Sequence, residues 1–120
     1  LWYTLTFYRS FKMEEQKSYE LDLTVADKGL LNESFLSAFG YMTKLIMQRM
    51  FGQGPEIPIA IKGNEQQVGS FAHALASEKR YMESFMRFGL DDPKTYKNRA
   101  RLDQAVSEFE RSTGLTWPFK

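Results

Sequence analysis

The chain of 120 residues contains no cysteine. That absence excludes disulfides, thiolate metal ligands, thiol nucleophiles and thiol redox switching together. Histidine occurs once, at His73, so a metal site built on paired histidines is excluded and any Ser/His/Asp triad has to use that one residue. No apolar run reaches the roughly twenty residues needed to span a bilayer, and no signal-peptide pattern precedes the first strand-like segment. With the lack of cysteine, this makes a soluble, cytoplasmic protein with no membrane partner the expectation. The chain starts at Leu1 rather than Met, so a preceding segment is also expected. An excess of one charge is missing as well: 16 basic residues face 15 acidic ones, for a net charge of +1. There is no global pull toward nucleic acid or an anionic membrane. Residues 1–60 hold six basic and seven acidic side chains and residues 61–120 hold ten and eight, so any attraction has to be local.

What is present is an ordinary globular composition, 42% hydrophobic and 26% charged, with aromatics at 15%. Such a chain folds as one domain over residues 1–120, with a core that needs no staples. There is no internal repeat and no low-complexity stretch.

Periodicity places the elements. Leu1, Tyr3, Leu5 and Phe7 alternate with Trp2, Thr4, Thr6 and Tyr8, which predicts a strand over 1–11. Tyr19, Leu21, Leu23 and Val25 alternate with polar residues, which predicts a second strand over 17–26, paired antiparallel with the first across the short polar connector 12–17. Asn32 caps a helix over 32–51 that carries Phe35, Leu36, Phe39, Met42, Ile46 and Met50 at helical spacing. Gly40 inside it suggests a close approach by another element. A third strand over 57–62 contains Pro58 and so belongs on an edge or begins just after it. Asn64 caps a second helix, with the stripe Val68, Phe71, Ala72 and Leu75 interrupted by Lys79, and Gly89 stops it. Asp92 and Pro93 open a third helix, about 93–113, with Leu102, Ala105, Val106 and Phe109 on one face. The apolar tail Leu115–Phe119 folds back on the core or adds a short C-terminal strand. The expected fold class is therefore α+β: two layers, element order β-β-α-β-α-α, with a small, mainly antiparallel sheet and helices on one face.

The chemistry-bearing patterns are sparse. His73 lies about 140° from Val68 on the helical wheel, which reads as a solvated histidine. Glu20 and Asp22 share a strand face and are the right ligand type for Mg²⁺ or Ca²⁺, although alternating acids on a solvent face are the simpler reading. Asp91 and Asp92 form an acid pair, yet Asp92 is explained as a helix cap. Gly52 and Gly54 precede a strand, the wrong order for a phosphate cradle, while Lys62-Gly63-Asn64 offers a weak anion site at a helix start. No catalytic residue, metal or cofactor is expected. An enzyme working through carboxylates alone stays as a third reading, behind two binding functions.

The first binding function rests on local charge. Lys79, Arg80, Arg87, Lys94, Lys97, Arg99 and Arg101 face only Glu83, Asp91 and Asp92 within residues 79–101, a local excess of +4. Tyr81 and Tyr96 interleave with them, and the first strand offers Trp2 and Tyr8 on one face, with Arg9 next to Tyr8. Basic and aromatic side chains together suit RNA or single-stranded DNA, because phosphates take the charge and bases stack on rings. The second function is association with a protein partner or a second copy, through an exposed apolar surface of Phe85, Met86, Phe88, Trp117 and Phe119.

Overall fold

Three capped, apolar-striped segments are helical in the computed structural model, which describes residues 19–120. Helix α1 spans Glu33–Met50, α2 spans Glu65–Phe88 and α3 spans Pro93–Thr113. Each begins where a side chain satisfies an otherwise free amide: Asn32 accepts from Phe35, Asn64 from Gln67 and Asp92 from Lys94. At α2 the cap is reciprocal, since Gln67 Oε1 accepts the Asn64 amide at 3.0 Å. Helix α3 ends on Gly114 at φ 74°, in the left-handed region, and Ala26 Cβ lies 3.0 Å from where a Cβ on that glycine would sit. Conformation and close approach both favour glycine there.

Two strands of four residues each, β1 (Tyr19–Asp22) and β2 (Ile59–Lys62), pair in parallel with Tyr19 opposite Ile59 and Leu21 opposite Ile61. Helix α1 makes the crossover between them, as a parallel pair requires. Strand β2 starts directly after Pro58, whose carbonyl accepts the Tyr19 amide at 3.0 Å.

This corrects the expected fold class. The described residues are mostly helical with one short parallel sheet, in place of a mainly antiparallel sheet in β-β-α-β-α-α order. The expected strand over 1–11 lies outside the described residues. The expected strand over 17–26 ends at Asp22. There the carboxylate Oδ1 accepts both the amide of Thr24 (2.9 Å) and its hydroxyl (2.6 Å), which turns the backbone out of the ladder. Burial still alternates beyond the strand, with Leu21, Leu23 and Val25 all inward, because the turn carries the same pattern on. The tail adds no strand: Leu115 and Trp117 are buried in the core without ladder pairing. Gly40 has only Pro118 near it, at an ordinary 4.0 Å from a notional Cβ, so no close approach demands glycine there.

The core lies between α1, the inward side of α2 and α3, and the tail. Phe39 stacks on Phe109 with ring centroids 6.0 Å apart, and Phe71 and Trp117 meet Phe109 at 5.7 and 5.3 Å. Helices α2 and α3 form an antiparallel hairpin whose turn is tied by the Thr95 hydroxyl donating to the Gly89 carbonyl at 2.7 Å. The hairpin has a second side, turned away from this core, and it positions the basic residues.

Candidate functional site

Heptad spacing separates the two sides of the hairpin. On α2, Phe71, Leu75 and Glu78 turn inward and are buried, whereas His73, Arg80 and Arg87 recur every seven residues on an exposed stripe. On α3, Leu102, Val106 and Phe109 turn inward, while Lys94, Lys97 and Arg101 occupy an outward stripe at i, i+3 and i+7. Where the outward stripes face each other they enclose a recess of about 270 Å³ lined by His73, Ser77, Arg80, Asn98, Arg101 and Gln104. The lining holds two guanidiniums, an imidazole, a hydroxyl and two amides, and no carboxylate. Ser77 is only 3% exposed, and no hydrogen bond among the described residues ties its hydroxyl down. A buried hydroxyl without a partner, beside two cations, is suited to donating to an anion. Asn98 donates instead to Ser84 across the hairpin. A second, more open depression continues along α3 past His73, Lys97, Arg101 and Gln104 to Arg111, with the carboxylates of Asp103 and Glu108 also in its lining.

The basic residues expected to act together divide in two. Lys79 bonds Glu83 at 2.7 Å and Arg99 bonds Asp103 at 3.2 Å, and Arg99 also lies over the Tyr81 ring, away from the recess. Arg80, Arg87, Lys94, Lys97 and Arg101 make no ion pair among the described residues. At the hairpin tip Arg87 and Lys94 both sit over the Phe88 ring, 5.5 and 4.5 Å from its centroid. Tyr96 is exposed. Trp2, Tyr8 and Arg9 lie outside the described residues.

The apolar set also divides. Phe85, Met86 and Phe88 are exposed near the tip together with Leu90. Trp117 is 2% exposed and belongs to the core, with Phe119 half-buried edge-on against it at 5.8 Å. The remaining expectations meet occupied groups. Both Asp22 oxygens are engaged, by Thr24 and by Lys28, and at the start of α2 the amides of Asn64 and Gln67 are bound within the reciprocal cap. Asp92 caps α3. Among the described residues, no group of three or more His, Asp or Glu is placed to hold a metal ion, and no helix is long and apolar enough to cross a membrane.

Sequence reasoning missed Glu78. It is 5% exposed, and its Oε1 accepts the indole N–H of Trp117 at 2.8 Å. Burial pushes its carboxyl above the usual range, against the downward pull of the Trp117 hydrogen bond and the Arg99 charge. The signal was available: Glu78 stands seven residues after Phe71 and three after Leu75, so it, rather than Lys79, continues the buried stripe. It lines a cavity of about 380 Å³ with Tyr81, Arg99, Trp117 and Phe119, on the side of α3 away from Arg101. Ser77, Asn98 and Gln104 were missed for a different reason, since lone polar residues signal nothing until two helices bring them together.

No protein family, curated protein or solved structure matches this chain.

Proposed function

We propose that this protein binds RNA or single-stranded DNA through the outward side of the α2–α3 hairpin, with the phosphate backbone as the main contact. The observation that carries the reading is the set of five cations, Arg80, Arg87, Lys94, Lys97 and Arg101, that have no ion pair among the described residues and lie on one side of two packed helices. Cations held without internal partners are the ones that release counterions when a polyanion binds. The recess at Arg80 and Arg101 supports it further, because a phosphate seated there accepts from both guanidiniums and from Ser77. Exposed Tyr96 and Phe88 offer rings near these charges for base stacking.

The test is a polarisation titration of labelled random-sequence single strands at about 50 mM salt, where electrostatic binding is strong. Measurable affinity that falls steeply with salt, and falls again in Arg80→Ala and Arg101→Ala, is the expected result. No binding at low salt overturns the proposal.

Association with a protein partner or a second copy is the second reading, carried by Phe85, Met86, Phe88 and Leu90, which expose large apolar surface together near the hairpin tip. Light scattering over a concentration series checks the self-association form of it, and a strict monomer removes that form.

A further inference from the structure

The cavity on the inward side of the hairpin combines aromatic rings with charges of both signs, unlike the recess. Its deepest polar group is Glu78, more than nine-tenths buried, with Oε1 bound to Trp117 and Oε2 without a hydrogen-bond partner among the described residues. A buried carboxyl with an open oxygen and no cation of its own is costly, and an incoming cation offsets that cost. The two cations near the cavity already have carboxylate partners: Arg99 bonds Asp103, and Lys120 bonds Glu110 at 3.1 Å. That leaves Glu78 as the carboxyl of this cavity with no cation in hydrogen-bond contact among the described residues. Around it stand the rings of Tyr81, Trp117 and Phe119, with Leu102 and Val106 closing the wall. Aromatic faces beside a carboxylate favour an organic cation over a hydrated metal ion, because the rings attract the charge and the apolar wall takes up a hydrocarbon body. An anion is disfavoured by Glu78 itself.

We infer that this cavity is a binding site for a small organic ammonium compound, with its nitrogen on Glu78 Oε2 and its apolar body against Trp117 and Phe119. The site is independent of the nucleic-acid reading, since it shares no lining residue with the outward recess.

The probe is phenethylammonium, with 2-phenylethanol as its neutral counterpart, titrated by calorimetry and by the indole N–H resonance of Trp117. The ammonium compound should bind the wild-type protein and shift the Trp117 signal, while 2-phenylethanol binds at least ten-fold more weakly. Glu78→Gln retains an oxygen for the Trp117 N–H but not the charge, and should weaken the ammonium compound ten-fold or more with the alcohol unchanged. Arg101→Ala should leave both affinities as they are. Absence of binding at millimolar probe, equal binding of the two probes, or binding that leaves the Trp117 resonance unmoved overturns the inference. That last readout needs only the wild-type protein, so it stands even where Glu78→Gln fails to fold.

Discussion

On the inward side of the α2–α3 hairpin, Phe71, Leu75, Leu102 and Phe109 close on Phe39 and Trp117, and the one acid among them, Glu78, is held by an indole N–H. On the outward side, the same two helices present His73, Arg80, Arg87, Lys94, Lys97 and Arg101, with nothing apolar to bury and no carboxylate within the recess. Further along the same side of α3, Asp103 and Glu108 stand among the cations, Glu108 paired with Arg111, so the stretch without carboxylates is the recess itself. The difference separates what holds the fold from what is free to meet a ligand. Substitutions on the inward side should therefore change stability, and those on the outward side should change binding alone.

The largest effect is expected at Phe109, where three aromatic rings converge. Phe109→Ala should cost about 3 to 5 kcal/mol, read by denaturant unfolding. A loss under about 1 kcal/mol would mean that the inward side is not the core of the fold. Trp117→Phe comes next. It keeps most of the ring but removes the donor to Glu78, so a loss of about 1 to 3 kcal/mol is expected from the stranded carboxyl in addition to any packing change.

Glu78 itself gives a pH test. Its carboxyl is raised by burial, so the folded protein keeps the proton where the unfolded chain has released it. That contribution is full at acid pH and is lost as pH rises through the raised pKa. Glu78→Gln should accordingly gain in melting temperature relative to wild type on going from about pH 4 to about pH 8, and a constant difference would contradict the buried-carboxyl account. Asp22 should behave in the opposite sense. The Thr24 hydroxyl, and after it the Thr24 amide and Lys28, outweigh burial and hold its carboxyl at about 2, below the ordinary 3.8. Its contribution is present above the ordinary value and is lost as pH falls toward 2. Thr24→Val should flatten that acid limb and cost about 1 kcal/mol near neutral pH, which acid-unfolding curves of the two proteins would resolve.

Much of the helical part of this fold was legible, because caps and stripes are local. The expected helix over 32–51 is observed as Glu33–Met50, and that over 93–113 as Pro93–Thr113, each beginning just after its capping residue. Sheet pairing was not legible. The alternation of Tyr19, Leu21, Leu23 and Val25 states which side is buried but not which segment lies alongside, and among the described residues β1 pairs across a whole helix with Ile59–Lys62. Nor does alternation register the turn at Asp22 and Thr24, which keeps the same burial pattern without a ladder. For the candidate site, the cations were read as one cluster although helical spacing sorts them: Arg99 and Arg101 stand about 200° apart on α3, and Lys79–Glu83 and Arg99–Asp103 are i, i+4 pairs. Only packing brings Ser77 to Asn98 and Gln104.

The smallest stability effects are expected on the outward side, where Arg80→Ala and Arg101→Ala should each change folding by less than about 0.5 kcal/mol. The contrast between the two sides is tested most directly by the salt dependence of single-strand binding in wild type, in Arg80→Ala/Arg101→Ala and in Glu78→Gln. The double variant should melt as wild type does, yet lose affinity for all sequences alike, with the slope of log affinity against log salt shallower by about 1 to 2. Glu78→Gln should keep the wild-type slope. A double variant that binds with unchanged slope, or one that unfolds, would contradict the assignment of the outward side to binding and the inward side to the fold.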